Sequence, residues 1–269
     1  MPNLSHIMPK PVVIPILWGH DYAVNAVTAP NLLRMMADLV TGPFMNGLAQ
    51  YGIQRGSVNA PIVIDDDHPP ATIVYRDSGN NLQDDITKQL IKWITAGTVP
   101  PPRSPNDINQ LYVIVPPIES TLQTYNGESD PTGLGVQGFH NEGLTNPGAP
   151  PTYFWAIVKT DWDRATPTQD VTPGVARTIC HELVEQLVDR NGSYEELGDP
   201  CNNNAVVYRG WNIQQYWSNW DNNCINGDAP VSLRKFLKAI GFDFMHNGLR
   251  TLNTPTINLN FIASTMQSH

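Results

Sequence analysis

The sequence predicts an α+β, or mixed α/β, fold with one sheet and a long, largely buried helix packed on it. Three observations lead there. Apolar runs of strand length occur at Pro11 to Trp18, Leu111 to Val115 and Tyr153 to Val158. Stretches with apolar residues at three- and four-residue spacing lie between and after them. The chain has 269 residues, 41% of them hydrophobic, enough for one sizeable core or a core with an appendage.

The elements follow in order. Pro11 to Trp18 is an apolar strand. Pro30 to Val40 is a helix, with Leu32, Leu33, Met36, Leu39 and Val40 at helical spacing, and a second short helix runs from Pro43 to Tyr51. Ile62 to Ile64 and Thr72 to Tyr75 read as strands with a turn between. Leu82, Ile86, Leu90, Trp93 and Ile94 mark a helix ending at Gly97, before a rigid loop from Pro100 to Pro105. Residues 117–150 are rich in Gly, Pro and Asn with little periodicity, so a long loop bordering a cleft is expected. Ser232 to Ile240 reads as a short helix. Ile257, Leu259 and Phe261 alternate with polar residues as a final strand. The expected division is a domain over 1–228 and a C-terminal helix–strand extension over 229–269 packed on it. No internal repeat is visible.

The helix from about Pro173 to Arg190 carries the chemistry. Thr172 can cap it, Pro173 suits its first turn, and Asn191-Gly192 is a stop signal. Ala176, Ile179, Cys180, Leu183, Val184 and Leu187 form its apolar stripe. His181, Glu185 and Asp189 then lie along one line. Two like charges at i,i+4 weaken an isolated helix by roughly a few tenths of a kcal/mol, and more beside an apolar stripe. A bound cation would reverse that sign. An ordinary exposed acidic face with a hydrogen-bonded histidine is the alternative.

His181-Glu182-Leu183-Val184-Glu185 resembles the zincin metal motif, with glutamate where the second histidine usually stands. Imidazole and carboxylate both suit Zn²⁺. His181 and Glu185 are the expected ligands, and Glu182, about 100° round the helix, the general base. A third ligand must come from elsewhere. Asp199, in a turn after Gly198, is the first candidate, although a plain turn residue before Pro200 is the alternative. Glu196 is the second, as ligand or as a partner orienting His181. Asp189 is the third.

Downstream stand Glu195-Glu196-Leu197-Gly198-Asp199-Pro200-Cys201 and Gln214-Gln215-Tyr216-Trp217-Ser218-Asn219-Trp220-Asp221-Asn222-Asn223-Cys224. The order HExxE, ExGDxC, QxxWSNxDxxC resembles the EXORDIUM-like, or phosphate-induced protein, family and its microbial zincin-like relatives. The resemblance runs from about residue 11 to 225 and takes in Val12 to Gly19, Leu48 to Ile53, Leu111 to Pro117 and Gly138-Phe139-His140. It implies a zincin-like fold with a buried active-site helix, and a disulfide between Cys201 and Cys224. Such a bridge would close a loop of roughly two dozen residues, contribute about 3 kcal/mol and hold Asp199 in place. The third cysteine, Cys180, is expected to be a buried free thiol.

Other signals are weaker. His140, in a Gly-rich stretch from Gly133 to Gly143, is expected on a surface loop, with a place facing the cleft as the alternative. Asp65-Asp66-Asp67-His68 lacks the spacing of a calcium loop and reads as a solvated charge run. Trp211, Trp217 and Trp220 read as core, with the lining of a groove as the alternative. There is no GxSxG, no Walker loop and no GxGxxG before a helix. A net charge of -9, a pI of about 5.1 and no basic cluster argue against nucleic-acid or anionic-membrane partners. No run of about 18 apolar residues offers a membrane span. Met1 to Lys10 lacks the apolar core of a signal peptide, whereas 24 prolines and only 15% charged residues suit an extracellular surface. The expectation is a secreted zinc-dependent metallopeptidase acting on protein or peptide. The alternative is a non-catalytic extracellular binding or structural protein that keeps a stabilising metal.

Overall fold

The structure, a computed structural model, describes residues 7–24, 27–65, 70–76, 85–104, 107–117, 120–124, 137–146, 149–159, 170–189, 197–219, 221–227, 242–245 and 248–251. The strands are β1 (Val12–Trp18), β2 (Ser57–Val58), β3 (Ile62–Ile64), β4 (Thr72–Arg76), β5 (Gln110–Val115), β6 (Thr121–Thr124), β7 (Gly138–Asn146), β8 (Ala149–Val158), β9 (Ala205–Tyr208), β10 (Trp211–Gln214), β11 (Tyr216–Ser218), β12 (Asn223–Ile225), β13 (Phe242–Met245) and β14 (Gly248–Thr251). The helices are α1 (His20–Val24), α2 (Thr28–Val40), α3 (Asp85–Thr95) and α4 (Thr172–Val188), with 3-10 turns at Pro43–Tyr51 and Asp199–Cys201. Two compact units result, Met1–Asp228 and Ala229–His269. In the second, β13 and β14 form an antiparallel hairpin. The helix expected at 232–240 and the strand expected at 257–261 lie outside the described residues.

The first unit is mixed α/β around a six-stranded, mainly parallel sheet. Its order is β2-β1-β5-β8-β7, with β3 also on β1, and only β7 runs antiparallel. Parallel sheets need cover on both faces, and the alternation of side chains supplies it. Val13, Leu17, Leu111, Val113, Val115, Phe154 and Val158 point to a core shared with α2 and α4. Ile14, Ile16, Trp18, Tyr112, Ile114, Trp155 and Ile157 point to the opposite core, shared with α3. Buried on both sides, these strands read as continuous apolar runs, so their lengths are legible in the sequence. Pro15 lies inside β1, at the gap where neither β2 nor β3 pairs with it, so its missing N–H disrupts neither ladder there.

α4 is buried on nearly all sides. Every residue of the expected stripe is within the core, and so are Glu182, Glu185 and Gln186. Its first turn differs from expectation. Thr172 is the first helical residue and makes no side-chain cap. Instead Asp170 Oδ1 accepts the Thr172 N–H at 3.0 Å, and its other oxygen accepts from Asn31 Nδ2 at 2.7 Å. The helix ends at Val188, two residues early, where Asp189 turns out of helical geometry at φ -142°, ψ 73°. The Met8 N–H satisfies the Leu187 carbonyl at 2.9 Å. Asn191 and Gly192 lie outside the described residues.

Three further expectations are corrected. The central sheet is accompanied by two-stranded pairings of β4 with β6, β9 with β10 and β11 with β12. Hence Thr72–Arg76 joins β6, and only Ile62–Ile64 joins the central sheet. Residues 117–150 are no single loop: they contain β6, β7 and the start of β8. Trp211 and Trp217 are half-buried and pack against the α4-side core instead of lying within it; Trp220 lies outside the described residues. Among the described residues no helix is long and apolar enough to cross a membrane.

Cys201 and Cys224 form a disulfide across 23 positions, joining the Asp199–Cys201 turn to β12. Reducing it, or replacing both cysteines with serine, is expected to lower unfolding stability by about 3 kcal/mol, read as the free energy extrapolated to water from urea curves with m fitted for each form.

Candidate metal centre

The site is built where α4, β7 and the turn after Gly198 meet. β7 supplies a residue that local patterning did not reveal. Register pairs His140 with Ala156, and Gly138 with Val158. That places His140 on the face of β8 occupied by Phe154 and Val158, facing α4. His140 is therefore buried in the site, which overturns the expected surface loop. Its Nδ1 lies 3.0 Å from Glu182 Oε2 and 3.6 Å from Glu185 Oε2. Gly138 makes the approach possible, because a Cβ there would stand 2.5 Å from Glu182 Oε1 and 2.6 Å from Thr178 Cγ2.

Glu185 is the centre of the arrangement. Its Oε1 accepts the backbone N–H groups of Gly198 and Asp199, both at 3.1 Å. Its Oε2 lies 3.1 Å from His181 Nε2. Gly198 is needed here for space: an added Cβ would meet Glu185 Oε1 at 2.6 Å and His181 Nδ1 at 2.7 Å. Asp199 Oδ1 stands 3.8 Å from His181 Nε2. On the far side of the ring, Gln214 Nε2 donates to the Gly198 carbonyl at 2.7 Å and lies 2.9 Å from His181 Nδ1. With Nδ1 accepting, the neutral metal-free imidazole carries its proton on Nε2, toward Glu185.

Two groups of potential ligands result. His181, Glu185 and Asp199 form an outer group, and His140, Glu182 and Glu185 an inner one. Within each, the three ligand atoms all lie within 4.8 Å of one another. The outer group opens to solvent, since the Asp199 side chain is 54% exposed and His181 16%. The inner group is closed. Of the residues singled out in the sequence, His181, Glu182, Glu185 and Asp199 come together. Asp189 is in neither group; it is buried at the helix end. Glu196 lies outside the described residues. Cys180 is a buried free thiol that donates to the Gln214 carbonyl, and burial pushes its pKa far up, so it is inert.

The electrostatics fit a cation. Burial raises the pKa of Glu182, with the hydrogen bond from His140 opposing it. Burial lowers that of His181, but the carboxylates of Glu185, Glu182 and Asp199 outweigh it and push it from 6.5 to about 9. Uptake of that second proton requires the Gln214 amide to turn its oxygen toward Nδ1. Nitrogen and oxygen donors without thiolate suit Zn²⁺ and similar divalent ions, and such an ion would neutralise carboxylates that are otherwise costly to bury.

Two outcomes are expected. Gly198→Ala should weaken metal binding at least about tenfold, the usual cost of disturbing the surroundings of a ligand, as read by competition with a chromogenic chelator. The pH dependence of the metal-free protein also follows. A raised folded-state pKa gives stability that is complete below the unfolded value of 6.5 and lost as pH rises through about 9. The stability difference between wild type and His181→Gln should therefore shrink between those pH values in urea unfolding.

No protein-family model, curated protein or solved structure matches the chain.

Proposed function

We propose that the protein is a zincin-like, zinc-dependent hydrolase of peptide bonds, related to the EXORDIUM-like family and acting outside the cell. The observation that carries this reading is the outer group: three ligand atoms within 4.8 Å on a solvent-open edge, with Glu182 following the first ligand in sequence. His181 Nε2 and one oxygen each from Glu185 and Asp199 would hold the ion. When bound, zinc would supply Lewis acidity at this edge. Glu182 would accept the proton of the water that attacks the amide carbon, and return it to the leaving nitrogen as the C–N bond breaks. Burial raises the affinity of Glu182 for that proton, and His140 holds the carboxylate at 3.0 Å. Gln214 fixes the plane of the His181 ring. The Cys201–Cys224 bridge fits an oxidising compartment.

One observation favours a second reading. Glu182 and Glu185 are only 5% and 2% exposed, as in closed structural metal sites. A non-catalytic extracellular protein stabilised by the ion would look the same.

Glu182→Gln separates the two. It is expected to keep the fold and the outer metal while hydrolysis of unfolded protein substrates falls at least about a hundredfold. Wild-type protein that binds zinc fully and hydrolyses nothing would establish the second reading instead.

A further inference from the structure

The proposed reaction uses the outer group as its ligand set and leaves the inner one unexplained. The inner side chains are each at least nine-tenths buried, with His140 at 6%, Glu182 at 5% and Glu185 at 2% exposure. They offer one nitrogen and two carboxylate oxygens, all within 4.8 Å of one another. Their placement is fixed by two separate elements. Strand register aims His140 at α4, and the helix presents Glu182 and Glu185 to β7 on adjacent turns. Gly138 lets β7 come this close, since a Cβ there would stand 2.5 Å from Glu182 Oε1. Here two buried carboxylates and two imidazoles converge on one closed space, and a divalent cation offsets the carboxylate charge there at full coordination, which hydrogen bonds from the rings do only in part.

We propose that His140, Glu182 and Glu185 form a second, inner divalent-cation site that shares Glu185 with the outer one. Glu185 can serve both because Oε1 is already held by two amides while Oε2 faces both imidazoles. The inner site fills after the outer one. Entry must break the His140–Glu182 hydrogen bond, and a second ion about 3.5–4 Å from the first, as in two-metal centres, meets its repulsion. Filling the inner site ties up the Glu182 carboxylate, so excess metal silences the enzyme. That last consequence rests on the proposed function; the site itself does not.

The test is equilibrium dialysis of the full chain against zinc alone, from substoichiometric to large excess, with protein hydrolysis followed in parallel. Wild type should bind two equivalents at saturation and lose activity as the second binds. His140→Gln keeps a donor to Glu182, and Glu182→Gln keeps the volume; circular dichroism checks both folds. Each should bind one equivalent only. Inhibition of His140→Gln, relative to its own maximum, should need at least about tenfold more zinc. One equivalent at saturation, lost in His181→Ala but kept in both glutamine variants, would overturn the inner site and leave the proposed function standing. Two equivalents in all three proteins would overturn it as well. One equivalent that survives His181→Ala and disappears in His140→Gln would support the inner site and overturn the outer ligand assignment. Failure to bind zinc at all would overturn both.

Discussion

The rest of the structure is arranged around one buried carboxylate. Glu185 sits at 2% exposure on the buried half of a helix, where an ionised group is tolerated only if it is matched. Its Oε1 is matched by two backbone amides from the turn at Gly198–Asp199, and its Oε2 by His181. Each match imposes a demand on another part of the chain. The turn must come close, so residue 198 has no side chain. The turn must also stay in place, and the disulfide two residues later, the Gln214–Gly198 hydrogen bond and the Trp217–Leu197 backbone bond all hold it. β10 and β11 are anchored in turn through Trp211 to Asp38 of α2, and through Tyr216 and Tyr51 on either side of the 3-10 turn at Pro43–Tyr51. Removing the carboxylate would leave two amides without their acceptor and His181 without its nearest one, while removing a partner would leave a buried charge less fully compensated. Conservative change at this point is therefore expensive in either direction.

The sheet contributes a different constraint. α4 lies over β8 and β7, and alternation along an edge strand decides which side chains face it. On β7 the even-numbered positions, Gly138 and His140, face the helix, while Phe139 faces the opposite core beside Trp155, at 6.0 Å between ring centroids. A register slip of one residue would exchange these faces and remove the histidine from the site altogether. The antiparallel edge strand is thus part of the candidate site as well as of the fold.

The legible parts of the molecule were those whose burial is uniform along an element. β1, β5 and β8 are apolar throughout because both faces of the sheet are covered, and α2, α3 and α4 carry apolar residues at helical spacing because a broad face of each meets a core. His181, Glu182 and Glu185 were visible for a local reason: they are neighbours on one helix. Asp199 was a candidate through its turn, and the structure adds the reason the turn approaches, the amide donors to Glu185. β6 and β7 were hidden in a Gly- and Pro-rich stretch, and on β7 the polar His140, which faces the site, interrupts the apolar alternation. His140 could not be placed because its role depends on pairing with Ala156, which no local pattern encodes. The cap at the start of α4 was misassigned because the helix already includes Thr172, whose own N–H is taken by Asp170, a residue held in place by a hydrogen bond from Asn31, far away in sequence. His181 and its neighbours thus follow from spacing, whereas everything that makes the site closed or open follows from topology.

The most direct measurement is anomalous diffraction at the zinc edge, on crystals of the full chain grown with one equivalent of zinc. A single peak bounded by His181 Nε2, Glu185 and Asp199, with Glu182 beside it but not coordinating, is the predicted result. A first equivalent bound by His140, Glu182 and Glu185, or one bound away from Glu185 altogether, would contradict the assignment of this helix as a catalytic metal site.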